Sequence, residues 1–210
     1  MSNLYYLIRK DIIVLRWYFL FITAYALVFG VFLQTSFSPL MISMLPAIMM
    51  IMFTASMETR NKSMMFIGTL PVSRKQIVSA KYVSVFFYYL LGLVLMAVVH
   101  AANQYANEYM MSQSFMVSGI NVLLAFGLTM VYAAIYFPVM FWLGVKNSNF
   151  IAFLAIFAMV ILIGFISNIT DKFSDDIFAA GLGIPVVSLL LLYGSFRLSL
   201  FIFTRKDMAG

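Results

Sequence analysis

The segment IGTLPVSRKQIVSAKY, residues 67–82, is a polar stretch between two long apolar runs. Of the 210 residues, 64% are hydrophobic and only 10% are charged. Soluble domains contain about 45–50% apolar residues. The polar side chains are too few to cover a surface in water, so lipid must solvate most of this chain. We therefore predict an integral membrane protein, with residues 67–82 in one of its aqueous connections.

Charged residues separate the apolar runs and define the expected membrane spans. A helix needs about 20 apolar residues to cross a bilayer, and turn-forming residues 34–39 divide the first run in two. No glycine pair has GxxxG spacing, so helix packing is expected to use other small residues such as Ala155. We predict a single all-α transmembrane domain, 1–210, with six helices at about 17–36, 40–57, 83–104, 117–143, 149–168 and 179–202.

The distribution of lysine and arginine predicts the orientation. With the N-terminus inside, 12 of the 13 basic residues lie on the cytoplasmic side and only Lys172 lies outside. Both termini are then cytoplasmic, including the tail 203–210. This bias also accounts for the net charge of +6 without a nucleic-acid partner. The chain has no cysteine, which excludes disulfides and thiolate metal sites.

The connection between the second and third spans contains motifs that predict local helical structure. Ser73 and Gln76 have the spacing of a capping box, so a helix should begin at Ser73 and continue past Lys81 into the third span. Upstream, Asn61 can cap a shorter helix that ends at Gly68. That shorter helix exposes four successive apolar residues, 64–67, which a protein partner or the bilayer surface should cover.

These motifs resemble the loop that follows the second helix in small permease subunits of bacterial ABC exporters. The matching parts are Glu58-Thr-Arg60-Asn-Lys-Ser, a short helix, and then residues 70–82. Residues 7–12 resemble the family's connecting helix. The resemblance implies the six-helix, type-2 integral membrane class, with a cytoplasmic coupling region at 58–82. The docking residues it implies are Glu58, Arg60, Lys62, Met64, Met65, Phe66, Ile67, Pro71, Ser73, Arg74 and Lys75.

The resemblance also implies partners. It predicts two cytosolic ATPase subunits, which bind ATP and Mg, and a second permease that makes a homodimer or a heterodimer. This chain contains no GxxxxGK[ST] motif, so we expect it to be a non-enzymatic subunit without a bound cofactor, in a bacterial plasma membrane. The expected outer loops are short, which favours export of a hydrophobic or amphipathic substrate, such as a peptide, an antimicrobial or a lipid-like molecule.

The first 16 residues form an amphipathic pattern. On a helical wheel the residues Leu4, Leu7, Ile8, Ile12 and Leu15 share one face, with Arg9 and Lys10 on its flanks. This pattern predicts a helix in the headgroup plane. Asp11 projects from the apolar arc. It should either turn into water or pair with Arg60, Arg74 or Lys75.

The fourth span carries polar groups at Asn121, Thr129, Tyr132 and Tyr136. They could line a substrate path or form hydrogen bonds between helices. Two other classes of function stay open, a secondary transporter and an intramembrane enzyme. An enzyme site needs paired acidic or histidine residues, and neither Glu58 nor His100 has an evident second member. We predict no catalytic residues and no metal ligands.

Overall fold

The computed structural model describes residues 2–28, 38–60, 72–109, 119–143, 150, 153–155, 157 and 177–205. No strand occurs in these residues. Six helices account for most of them: α1 (Ser2–Val14), α2 (Arg16–Leu27), α3 (Ser38–Arg60), α4 (Arg74–Tyr109), α5 (Gly119–Leu143) and α6 (Ile177–Arg205). The all-α prediction is confirmed for the described part of the chain.

Four of these helices contain stretches that are long and apolar enough to cross a membrane. These are Leu40–Glu58, Arg74–Ala102, Asn121–Leu143 and Gly183–Arg205. They coincide with the predicted second, third, fourth and sixth spans. The first predicted span is described only through α2 and Val28, and the fifth only through a few helical residues near its start. The protein is therefore a multi-pass membrane protein.

The capping box predicted at Ser73 is present and begins α4. The Gln76 amide donates to both the carbonyl and Oγ of Ser73, at 2.9 and 3.3 Å, and the Ser73 amide donates to Gln76 Oε1 at 3.1 Å. Two amides at the helix N-terminus are satisfied in this way. As predicted, α4 then continues without a break past Lys81, and its 36 residues end at Tyr109.

Side-chain contacts fix the directions of α2, α3 and α4. Tyr18, near the start of α2, donates to the sulfur of Met57, near the end of α3, at 3.9 Å. Glu58, at the end of α3, pairs with Lys81, near the start of α4, at 2.7 Å. Consequently α3 runs antiparallel to both α2 and α4. We call the end that holds Glu58 and Lys81 the inner end.

Helix α5 runs antiparallel to α4 but parallel to α6. The Tyr89 hydroxyl of α4 donates to the carbonyl of Val122, near the start of α5, at 2.7 Å. The rings of Phe141, near the end of α5, and Phe203, near the end of α6, lie 5.0 Å apart. Both α5 and α6 therefore end at the inner end.

The helices differ in how much of their surface the protein covers. The spanning stretches of α3, α4 and α5 are 50–56% buried, whereas that of α6 is only 17% buried. Exposed apolar side chains on α6 include Val186, Leu190 and Leu198. In a bilayer this face of α6 meets lipid or another membrane subunit.

Candidate functional site

The inner end of the helix bundle holds a cluster of buried charges, and α1 supplies half of it. One stripe of α1, continued by Leu15 just after its end, packs against the other helices: Leu7, Asp11 and Leu15 are 9%, 2% and 5% exposed. Ile12, on the same predicted apolar face, is 46% exposed. The apolar face thus has a protein-facing part and an outer part, and Asp11 belongs to the protein-facing part.

Two carboxylates and two ammonium groups meet in this cluster, which we call the ion-pair cluster (Lys10, Asp11, Glu58 and Lys81). The Lys81 nitrogen lies 3.0 Å from Asp11 Oδ2 and 2.7 Å from Glu58 Oε1. The Lys10 nitrogen lies 2.7 Å from the same Glu58 oxygen and 3.2 Å from Asp11 Oδ1. This last contact is an ion pair without hydrogen-bond geometry. The formal charges of the cluster sum to zero.

Two expectations about these carboxylates are wrong. Asp11 neither turns into water nor pairs with Arg60, Arg74 or Lys75, because Lys10 and Lys81 are the bases beside it. Glu58 does have a second acidic residue near it, since both carboxylates contact the same two lysines. Four ion pairs occupy the two carboxylates, which makes this a structural charge cluster rather than an acidic pair open to substrate.

Most of the ion-pair cluster is buried, so its charges have lost the favourable free energy of hydration. Asp11, Glu58 and Lys81 have side chains that are only 2%, 3% and 8% exposed, while Lys10 is 30% exposed at the edge. Burying an ion costs on the order of several kcal/mol, so each member depends on its partners. Glu58 Oε2 is also buried and has no hydrogen-bond partner among the described residues.

A small cavity adjoins the ion-pair cluster on the membrane side. Its volume is about 10 Å³, close to the space that one water molecule needs. Its walls include Lys81, Thr54 and Tyr88. The Thr54 hydroxyl donates to the carbonyl of Met50 at 2.7 Å, so the Tyr88 hydroxyl, 3.2 Å away, donates to Thr54. This bond links α3 to α4 about one helical turn from the ion-pair cluster, on its membrane side.

A second polar network begins next to Lys81 and joins α4, α5 and α6. The Tyr82 hydroxyl lies 2.7 Å from Ser195 Oγ and 2.8 Å from Ser199 Oγ. Ser195 donates its one hydroxyl proton to the carbonyl of Ala134 at 2.7 Å. The chain of donors must therefore run from Ser199 to Tyr82, from Tyr82 to Ser195, and from Ser195 to Ala134.

Arg74 ties the start of α4 to the end of α6. Its Nη1 donates to the carbonyls of Phe203 and Thr204 at 3.2 and 2.8 Å. The last carbonyls of a helix have no partner within the helix and carry partial negative charge, so a guanidinium is well suited to them. Lys75, the next residue, is exposed. Arg74 is thus held within the chain, whereas Lys75 is turned toward solvent.

The polar residues predicted along the fourth span lie in α5, mostly inside the bundle. Tyr132 and Tyr136 are completely buried and stacked, with ring centres 5.6 Å apart, and neither hydroxyl has a hydrogen-bond partner among the described residues. Thr129 is also buried, and its hydroxyl donates to the carbonyl of Ala125 within the same helix at 2.7 Å. Asn121 is half-buried at the outer end. A substrate could reach the tyrosines only after the helices separate.

Much of the predicted docking surface lies outside the described residues. This applies to Lys62, Met64, Met65, Phe66, Ile67 and Pro71. Arg60 is the last residue of α3, and only its backbone is described. Arg9, on the predicted interfacial helix, is exposed. Among the described residues there is no group of three or more His, Cys, Asp or Glu side chains that could hold a metal ion.

The helical, multi-pass architecture defines a polytopic integral membrane protein. The family model described as "ABC-2 family transporter protein" matches residues 6–205. The chain therefore belongs to the ABC-2 family of transporter membrane proteins and is an ABC-2 type permease. A search of curated proteins gives no significant match, and neither does a search of solved structures.

Proposed function

We propose that this chain is the membrane subunit of an ATP-driven exporter and that it performs no catalysis itself. The family match across residues 6–205 carries this proposal, because ABC-2 permeases work with ABC ATPase subunits. ATP and Mg bind to the partner ATPases, two per transporter, and this chain binds no cofactor. Neither a secondary transporter nor an intramembrane enzyme is favoured by an observation of this kind.

The directions of the helices support six membrane spans with both termini inside. α1 lies at the inner end through Asp11, whereas α3 begins at the opposite end, which supports a crossing between α1 and α3. α5 and α6 both end at the inner end, which supports a further crossing between these two helices. With α3, α4, α5 and α6 these two crossings make six. The excess of basic residues on one side assigns the inner end to the cytoplasm of a bacterial cell.

The coupling region, residues 58–82, is proposed as the docking site for the ATPase. Glu58 and Lys81, at the two ends of this region, form an ion pair at 2.7 Å, so the two ends lie side by side. Met64, Met65, Phe66 and Ile67 lie within the loop, and flexible apolar side chains of this kind suit a docking contact. Ser73, Arg74 and Lys75 complete the docking segment at the start of α4.

We assign the substrate path to the region around Tyr132 and Tyr136. Their hydroxyl groups have no hydrogen-bond partner among the described residues, and separation of the helices would let those groups meet a substrate or water. A mostly apolar surround with a few hydroxyl groups suits an amphipathic substrate such as a peptide, an antimicrobial or a lipid-like molecule. The exposed face of α6 is available for a second permease, either the same chain or a related one.

Co-purification tests the docking proposal. The chain would be co-expressed with an ABC ATPase, sought first among the products of the genes adjacent to its own, purified in detergent, and assayed for bound ATPase and for ATP hydrolysis. The double variant Met65→Asp/Phe66→Asp should lose at least about 90% of the bound ATPase, because two buried charges in an apolar contact cost several kcal/mol. Its membrane level should be unchanged.

The matched control is Met65→Leu/Phe66→Leu, which keeps the apolar character and should retain binding within about twofold. If the aspartate variant binds the ATPase as well as the control does, these residues are not the docking contact. If the unmodified chain binds no ATPase and works without ATP, the proposal that it belongs to an ATP-driven exporter is wrong.

A further inference from the structure

We propose that the ion-pair cluster (Lys10, Asp11, Glu58 and Lys81) is a clamp that makes the inner ends of α1, α3 and α4 move as one body. The four side chains are positioning residues. Their role in coupling rests on the proposed function, because it requires an ATPase that moves the coupling region. That the inner ends of α1, α3 and α4 move as one body is proposed for the chain by itself, without an ATPase.

The first step of the argument is the location of the charges. Glu58 and Lys81 mark the two ends of the coupling region, and Lys10 and Asp11 come from α1. Each lysine contacts both carboxylates, so no pair can separate without disturbing the others. A displacement of either end of the coupling region is therefore passed on to α1 as well as to the two spanning helices.

The second step is the energetic character of the cluster. Replacing a buried ion pair with apolar side chains of similar size often leaves stability unchanged or improves it. Removing one partner, in contrast, is strongly destabilising because a charge remains buried and unpaired. Ion pairs of this type contribute little net stability, but they strongly disfavour any arrangement in which the partners are apart. The cluster consequently fixes the positions of the inner ends of α1, α3 and α4 relative to one another.

The third step is the contrast with the rest of α1. On its outer side Tyr5, Tyr6 and Ile13 are 61%, 62% and 59% exposed. Protein contacts therefore hold α1 along the single stripe that contains Asp11. If the charges were removed, α1 would still be held by apolar contacts such as those of Leu7, and apolar contacts allow sliding that ion pairs do not.

The first test uses the chain alone in lipid nanodiscs. Because the sequence contains no cysteine, nitroxide labels can be attached only at introduced positions. The labels would be placed at Tyr5→Cys on α1 and Lys75→Cys at the start of α4, both exposed positions. Electron paramagnetic resonance then measures the distribution of distances between them. We expect a single narrow distribution.

The ion-pair link between α1 and α4 is removed with Asp11→Asn/Lys81→Met, which deletes one acid and one base and leaves the Lys10–Glu58 pair between α1 and α3 in place. The distribution should become at least about twice as wide, because α1 gains freedom to move. The matched control is Tyr82→Phe/Ser199→Ala, which removes a buried polar link of α4 that does not involve α1. An unchanged width in the first variant, or equal broadening in the control, would overturn the clamp.

The second test asks whether the clamp matters for coupling. The variant Asp11→Cys/Lys81→Cys would be treated in nanodiscs with a short bis-methanethiosulfonate cross-linker before the neighbouring ATPase is added. Without the cross-link, ATP hydrolysis by the complex should fall at least about fivefold, while ATPase binding persists. The cross-link should restore hydrolysis, and its cleavage by dithiothreitol should abolish the recovery.

These outcomes separate the two proposals. If the unlinked variant hydrolyses ATP as fast as the unmodified complex, or if the cross-link restores nothing, the coupling role of the clamp is refuted. If the unmodified chain binds no ATPase, the proposed function fails, and the distance measurement still decides whether the clamp exists.

Discussion

At the scale of single residues, Gly92 shows how closely α3 and α4 pack. A Cβ atom at this position would lie 2.4 Å from the backbone carbonyl oxygen of Ser43. A backbone atom in the middle of a helix cannot move aside at low cost, so only glycine fits here. Gly127 of α5 is also close to a neighbour, but there the contact is the side-chain methyl Cγ2 of Ile184 at 2.5 Å.

A series of three glycine-to-alanine variants tests this difference. Gly92→Ala should lower stability by about 1–3 kcal/mol, because α3 and α4 must separate. Gly127→Ala should cost less, because the Ile184 side chain can change rotamer. Gly194→Ala, which meets nothing within 4 Å, should be neutral or stabilising by up to about 1 kcal/mol from helix propensity. Thermal unfolding in detergent gives the order, and a Gly92→Ala variant as stable as Gly194→Ala would contradict the close packing.

Residue-level predictions succeed where the partners are neighbours in sequence and fail where they are distant. Ser73 and Gln76 lie three residues apart, and the spacing alone predicts their reciprocal hydrogen bonds. Asp11 and Lys81 lie 70 residues apart, and nothing in the local pattern selects Lys81 over the other bases. The one usable signal is the position of Asp11 on an apolar face, which shows that a partner is needed but does not identify it.

At the scale of helices, the capping box determines where α4 begins. Ser73→Ala removes the oxygen that accepts from the Gln76 amide, and the loss of such a cap costs about 0.5–2 kcal/mol. We expect the first turn of α4 to fray, so amide hydrogen exchange at Gln76 and Ile77 should become about tenfold faster.

Ser79→Ala provides the control for this prediction. The Ser79 hydroxyl donates to the carbonyl of Lys75 inside α4 at 2.6 Å and caps no helix end. Alanine should therefore leave exchange in the first turn within about twofold of the original rate. Equal effects of the two substitutions would mean that the capping box does not hold this terminus.

The sequence predicts the helices better than their contacts. Four spans are recognisable from apolar length alone, since a helix in lipid must satisfy its own backbone hydrogen bonds. The contact of Arg74 with the end of α6 depends instead on the way in which α6 returns to the inner end. A span prediction states how often the chain crosses the membrane, but not which helix ends become neighbours.

At the scale of the whole molecule, the relative directions of the helices support the proposed number of membrane spans. α5 and α6 are parallel neighbours: Ala134 of α5 accepts from Ser195 of α6, and Phe141 packs against Phe203 further along both helices. This parallel arrangement supports the proposed crossing between them. It agrees with the apolar run predicted at 149–168, although it is derived from different residues.

Cysteine accessibility in the cysteine-free chain tests this crossing. In intact cells, a membrane-impermeant maleimide should label Lys172→Cys and Gly119→Cys from outside, because residue 172 precedes α6 and α5 begins at the outer end. Lys146→Cys and Ser73→Cys should react only after permeabilisation. Because α5 and α6 are parallel, an even number of crossings between residues 146 and 172 is incompatible with the fold. Labelling of Lys146→Cys and Lys172→Cys from the same side would therefore refute the six-span topology.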